Sequence, residues 1–119
     1  MTEFTIAPHP TAHDVFVKCY RDRGLVDPAG WDVVALFLDG AVAGAVAGKD
    51  RYFHLGVLPE FRGKWASRRR LRQIAEWANA RGYTLTKVRF GSVGAKMATI
   101  GGMVLKQRIA GGCEYAYAP

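Results

Sequence analysis

The chain has 119 residues, half of them hydrophobic and 23% charged, a balance that excludes intrinsic disorder and makes one globular domain spanning residues 1–119 the expectation. Its longest apolar run, Ala41–Gly48, falls far short of the ~20 residues of a membrane-spanning helix. Seventeen Lys and Arg against ten Asp and Glu give a net charge of +7, which favours an anionic partner: a nucleotide cofactor, an acidic protein or nucleic acid. Met1-Thr2-Glu3-Phe4 lacks the basic and apolar regions of a secretory signal, so the cytoplasm is the expected location. Two cysteines far apart, Cys19 and Cys113, support neither a disulfide framework nor a zinc site and read as packing residues; no metal is expected.

Phe4–Ala7 reads as a short strand stopped by Pro8 and Pro10. Thr11 then caps a helix whose buried face carries Val15, Phe16, Cys19 and Tyr20 and which ends near Gly24. After the Asp27-Pro28-Ala29-Gly30 turn, the β-rich run Trp31–Leu38 meets Asp39-Gly40, a hairpin signal, and returns along Ala41–Ala47. Gly48-Lys49-Asp50 forms the next turn before a strand over Tyr52–Leu58, which Pro59 closes. Within Trp65–Arg81, the residues Leu71, Ile74, Ala75 and Ala78 fall at i, i+3, i+4 and i+7, the spacing of one apolar helix face, and Gly82 supplies the C-cap. Tyr83–Phe90 reads as a strand, Gly91–Gly94 as a flexible turn and Ala95–Ile100 as a brief helix. Met103–Ile109 and Cys113–Tyr117 form a terminal hairpin around Ala110-Gly111-Gly112. The order β-α-β-β-β-α-β-α-β-β predicts an α/β (mixed α+β) fold, with a central, mostly antiparallel sheet flanked by helices.

The chemistry concentrates in residues 55–68, Leu-Gly-Val-Leu-Pro-Glu-Phe-Arg-Gly-Lys-Trp-Ala-Ser-Arg. A strand runs into a short loop that opens a helix, whose unpaired N–H groups and dipole make a phosphate site. Arg62, Lys64 and Arg68 add formal positive charge, suiting a pyrophosphate or a ribose phosphate. The bland alternative is a solvated basic turn.

This segment resembles the cofactor motif of the GNAT N-acetyltransferases, a strand ending in Val-x-Pro-Glu-Tyr-Arg-Gly-Lys-Gly-x-Gly before a long helix. Val57, Pro59, Glu60, Arg62, Gly63 and Lys64 match it, and Phe61 stands for the Tyr. The resemblance implies a GNAT-like fold with acetyl-CoA as co-substrate. The backbone of Leu55, Val57 and Leu58 would pair with the pantetheine arm, and Arg62, Gly63, Lys64, Trp65, Ala66, Ser67 and Arg68 would grip the pyrophosphate. Ile100-Gly101-Gly102 sits where the family often carries Leu-Gly-Phe. Trp65 and Ser67 depart from the motif by replacing small residues, which hinders close backbone approach. Met97 falls where the family often places a Tyr as general acid, and the Asn that commonly opens this helix is missing.

Candidates for proton transfer are His54, whose unperturbed pKa suits an amine proton, and Tyr115 in the terminal hairpin. Glu60 and Tyr117 are further carriers. Each has a structural alternative: a packed strand histidine, a half-buried tyrosine, a loop carboxylate paired with an arginine.

Three functions follow as expectations. The first is an acyl-CoA-dependent N-acyltransferase, with an amine attacking the thioester directly. The second is a GNAT-like domain without catalysis, acting as a structural or interaction protein; the small size resembles compact GNAT-like proteins of bacteriophages, some of them virion components. The third is a nucleic-acid-binding module using Arg68, Arg69, Arg70 and Arg72, which rests on charge alone. An open sheet with unpaired edges leaves room for a homodimer.

Overall fold

The structure, a computed structural model, describes residues 3–20, 30–63, 65–89 and 91–119. The elements follow in the order β1 (Phe4–Ala7), α1 (Ala12–Tyr20), β2 (Asp32–Leu38), β3 (Ala41–Lys49), β4 (Tyr52–Val57), a 3₁₀ turn (Pro59–Phe61), α2 (Arg68–Ala80), β5 (Leu85–Arg89), α3 (Val93–Ile100), β6 (Val104–Ile109) and β7 (Gly112–Ala116). The strand order is β1-β2-β3-β4-β5-β7-β6. The β4–β5 pair is parallel, and β1–β2, β2–β3, β5–β7 and β6–β7 are antiparallel. The expected mixed sheet with helices packed on it is therefore what the chain forms. It divides into two compact units, residues 1–49 with 54–65, and residues 50–53 with 66–119.

In the first unit, β2 and β3 turn at Asp39 (φ 51°) and Gly40 (φ 83°), two successive left-handed residues that suit the twist of a tight hairpin. The Asp39 carboxylate also accepts from the Glu3 amide at 2.7 Å, tying β1 to that turn. Phe16 of α1 is fully buried against Ala45 and Ala47, with Val15, Trp31 and Val33 around them. Small residues along β3 let the chain pack closely: a Cβ at Gly44 would lie 2.2 Å from the Gly56 carbonyl oxygen. The turn expected at Gly48-Lys49-Asp50 starts later. Gly48 pairs with Asp32, so the β2 ladder carries β3 to Lys49, and the left-handed residue is Asp50 (φ 60°). The expected helix end near Gly24 and the turn residues Asp27, Pro28 and Ala29 lie outside the described residues.

In the second unit, Ser67 caps α2 by accepting from the Arg70 amide at 3.2 Å. Leu71, Ile74, Ala75 and Ala78 are the buried stripe of α2, as their spacing predicts. The helix ends in a Schellman arrangement: Tyr83 N–H bonds the Ala78 carbonyl, Gly82 N–H bonds the Asn79 carbonyl, and Gly82 takes φ 87°. The helix begins at Arg68 rather than Trp65, because Ser67 is the capping residue. Similarly, Ser92 caps α3 through the Ala95 amide, so Val93 and Gly94 belong to the helix rather than to a flexible turn. Gly112 opens β7 rather than closing the loop, since a Cβ there would lie 2.3 Å from the Val88 carbonyl oxygen on β5. Among the described residues no helix is long and apolar enough to cross a membrane.

Candidate functional site

The first unit carries the strand and turn of the motif. Leu58, which is buried, donates its amide to the Ala43 carbonyl at 2.8 Å, and its own carbonyl accepts from Phe61 at 3.0 Å. Both of its backbone groups thus shape the turn. Leu55 and Val57 are half-buried on β4. Arg62 is exposed, and its Nε donates back to the Val57 carbonyl at 3.3 Å, which holds the guanidinium against the strand end. Gly63 adopts φ 77° with no atom within 4 Å of where a Cβ would sit, an open, left-handed position that glycine adopts without strain. Trp65 is only 4% exposed and stacks flat on Phe4, with ring centroids 5.6 Å apart and planes 8° from parallel. Its ring is therefore taken up inside this unit. Lys64 lies outside the described residues.

The second unit carries the rest. Ala66 and Ser67 are exposed, and the Ser67 hydroxyl satisfies the third amide of α2. The first two amides, of Arg68 and Arg69, have no partner among the described residues. Unpaired N–H groups at the start of a 13-residue helix carry partial positive charge and suit a phosphate. The side chains of Arg68 and Arg69 line a cavity of about 580 Å³ with Arg72, Gly101 and Gly102. Arg72 is held by the Ala118 carbonyl, by the Glu76 carboxylate at 3.6 Å and by the Tyr117 ring, 4.6 Å from its guanidinium carbon.

His54 is half-buried in the first unit, its ring 5.3 Å from that of Trp31, which in turn lies 5.8 Å from Phe16. Tyr115 belongs to the second unit, opposite Thr86 and Leu105 in the ladder. It lines a cavity of about 330 Å³ shared with Ser92, Lys96, Thr99 and Cys113. Met97 is half-buried on α3 and brings no hydroxyl.

A cluster that sequence reasoning missed lies on β4, β5, β6 and β7 of the second unit. Glu114 is 2% exposed. Its Oε1 accepts from the Tyr52 hydroxyl at 2.7 Å and its Oε2 from Gln107 Nε2 at 2.9 Å, with Lys106 Nζ 3.9 Å from Oε2. Lys87, opposite Glu114 in the ladder, places its ammonium 4.3 Å above the Tyr52 ring. The hydrogen bonds from Tyr52 and Gln107 and the charges of Lys106 and Lys87 hold the Glu114 pKa below the usual carboxylate range, against its desolvation. The same bond, with burial and the carboxylate charge, raises the pKa of Tyr52. One signal was available: after Glu76, Glu114 is the only acidic residue in a stretch otherwise charged only by Lys and Arg. Among the described residues, no three His, Cys, Asp or Glu side chains gather as a metal site would need.

No family model matches the sequence, and no curated protein does. Solved structures do match. A GNAT family acetyltransferase from Elizabethkingia anophelis with acetyl-CoA bound superposes with a TM-score of 0.63 at 14% identity, over 95% of this chain and 94% of that one. An acetyltransferase from Bacillus subtilis in complex with CoA gives 0.61 at 10% identity, over 90% and 79%. The PaiA N-acetyltransferase from Thermoplasma acidophilum in complex with coenzyme A gives 0.56 at 12% identity, over 97% and 99%.

Proposed function

From the premise that this chain has the GNAT fold, we propose that it is an acyl-CoA-dependent N-acyltransferase using acetyl-CoA as co-substrate. The observation that carries the reading is that the amides of Arg68 and Arg69, the first two of α2, have no partner among the described residues. The residues present fit the coenzyme. Gly63 is open, Trp65 is folded inward, and Ser67 caps only the third amide of the helix. The sequence motif assigns the phosphates to Arg62, Gly63, Lys64, Ser67 and Arg68 and the pantetheine arm to the backbone of Leu55 and Val57.

Bound there, the thioester supplies an electrophilic carbonyl: the amine forms the C–N bond, the C–S bond breaks, and the sulfur leaves as a thiolate. The chain's own contributions are position and protons. Fixing the acyl donor beside an amine makes the attack effectively intramolecular, an effect worth several orders of magnitude. The candidates for these protons are His54, packed against Trp31 in the first unit, as acceptor, and Tyr115 of the second unit, in place of Met97, as donor.

The test is calorimetric titration of acetyl-CoA into the wild-type protein and into Arg62→Ala/Arg68→Ala. Micromolar affinity weakened at least tenfold in the variant is expected, since charge-assisted bonds to phosphate contribute about 1.5–3 kcal/mol each. No saturable binding at millimolar acetyl-CoA removes the reading. Binding without acetyl transfer to any of a panel of amines selects the second function, a GNAT-like domain without catalysis, which the missing hydroxyl at Met97 favours.

A further inference from the structure

Helix α3 and the β6–β7 hairpin of the second unit border a cavity of about 330 Å³, a volume within the range of small-molecule sites. Alternation along β7 decides what faces it. Cys113 and Tyr115 point to the α3 side and line the cavity, while Glu114, between them, points to the opposite side with Tyr52 and Gln107. Leu105 lies opposite Tyr115 in the ladder and forms the wall on β6. Ser92, which caps α3, joins Lys96 and Thr99 at i+4 and i+7, the spacing of one helix face. No Asp or Glu among the described residues lines the cavity.

The hydrogen-bonding capacity of this lining is weighted to donors. Ser92 Oγ accepts from the Ala95 amide at 3.2 Å, which leaves its own hydrogen to donate. Thr99 Oγ1 donates its hydrogen to the Ala95 carbonyl at 3.0 Å. The Tyr115 hydroxyl and the Lys96 ammonium have no partner among the described residues. Lys96 supplies one full positive charge, which balances a carboxylate and falls short of a phosphate dianion. The rest of the wall is apolar: Leu105 is 46% exposed, and Val93, Ile100 and Val104, the other large apolar side chains exposed among the described residues, also belong to α3 and β6. Apolar surface gathered around a few convergent donors is the make-up of a ligand site rather than of a solvated face.

We propose that this cavity binds a small carboxylate with an aromatic or other apolar body: Lys96 pairs with the carboxylate, the Ser92 and Tyr115 hydroxyls donate to it, and Leu105 and the Tyr115 ring cover the hydrocarbon. The site lies wholly within the second unit and rests on its own lining. It does not depend on the acyltransferase reading, with which it shares only Tyr115.

The experiment titrates benzoate, benzyl alcohol, benzylamine, acetate and inorganic phosphate into the whole chain and follows backbone amide NMR shifts. Benzoate is expected to shift the amides of Ser92, Lys96, Thr99 and Tyr115 saturably. It should bind about tenfold more tightly than benzyl alcohol or benzylamine, one charge-assisted contact being worth about that factor. Acetate, which lacks the apolar body, should bind about tenfold more weakly than benzoate. Lys96→Gln lowers the benzoate affinity about tenfold, Lys96→Arg retains it, and Tyr115→Phe lowers it about fivefold while keeping the ring. The comparison among ligands needs no variant, so a substitution that fails to fold leaves the test intact. No saturable shift at millimolar benzoate overturns the proposal, and so does equal affinity for benzoate and benzyl alcohol. Phosphate bound as tightly as benzoate, or benzoate shifts confined to Lys87 and Arg89 on the other side of the sheet, would mean that the surface reads charge alone, and either overturns it too. Acetyl-CoA takes no part in these measurements, so their outcome and that of the acyltransferase reading are separate.

Discussion

Glu114 and Tyr52 set the pH range in which the second unit is held together. The Glu114 pKa is lower folded than unfolded, so its contribution to stability is complete above the unfolded value of about 4.3 and is lost as pH falls through the folded value. Tyr52 has the opposite sign. Its folded pKa is raised, so its contribution is complete below about 10 and is lost as pH rises through the folded value. The melting temperature of the wild-type protein should therefore fall below about pH 4 and again above about pH 10. Glu114→Gln should lower the plateau and flatten the acid limb, and Tyr52→Phe should remove the alkaline limb and move the acid limb upward. An acid limb identical in the wild type and Glu114→Gln would mean that this carboxylate is not the group being protonated. The sequence showed Glu114 to be the lone acid among late cations, but its partners Tyr52, Lys87 and Gln107 come from three other strands. Only the pairing of strands distant in sequence brings them together, and no single local run of residues contains that pairing.

At the scale of the element, the first turn of helix α2 carries both the cap and the amides that the proposed function assigns to phosphate. Ser67 stabilises the helix through the Arg70 amide, while the amides of Arg68 and Arg69 have no partner among the described residues. Ser67→Ala should cost about 1 kcal/mol, a drop of about 4 °C in a chain of this size. Ser67→Asp should keep the cap and the melting temperature but weaken acetyl-CoA at least tenfold, because the new carboxylate would face the phosphates. Equal coenzyme affinity for Ser67→Asp and the wild type would show that phosphate does not sit at this helix end. The apolar stripe of α2 was legible because Leu71, Ile74, Ala75 and Ala78 repeat with the helical period, and the Schellman end because Gly82 marks it. The helix start was misread at Trp65, whose stacking partner Phe4 lies at the other end of the sequence. Gly112 was read as loop for a related reason: what requires a glycine there is the Val88 carbonyl on a neighbouring strand.

Across the whole molecule the net charge of +7 is distributed unevenly. The second unit has eleven basic against three acidic side chains, a net charge of +8, whereas the first has six against seven, a net charge of −1. The basic character seen in the composition thus belongs to the unit that holds the start of α2 and the arginine-lined cavity. Such a field accelerates the arrival of any polyanion, coenzyme and nucleic acid alike, so charge does not choose between them. Salt does. At about 0.15 M ionic strength the Debye length is about 8 Å, against about 30 Å at 0.01 M, so attraction spread over a surface fades while contacts made by individual amides persist. A short DNA or RNA duplex should bind at about 0.01 M salt and be released by about 0.15 M. Over the same range acetyl-CoA should associate more slowly yet still saturate the protein, and Arg69→Ala/Arg70→Ala should weaken the duplex more than the coenzyme, because the Arg69 amide remains in place. Nucleic-acid binding that survives about 0.15 M salt and resists that variant would identify a built interface rather than a diffuse field, and would place nucleic acid ahead of the coenzyme as the partner of this helix.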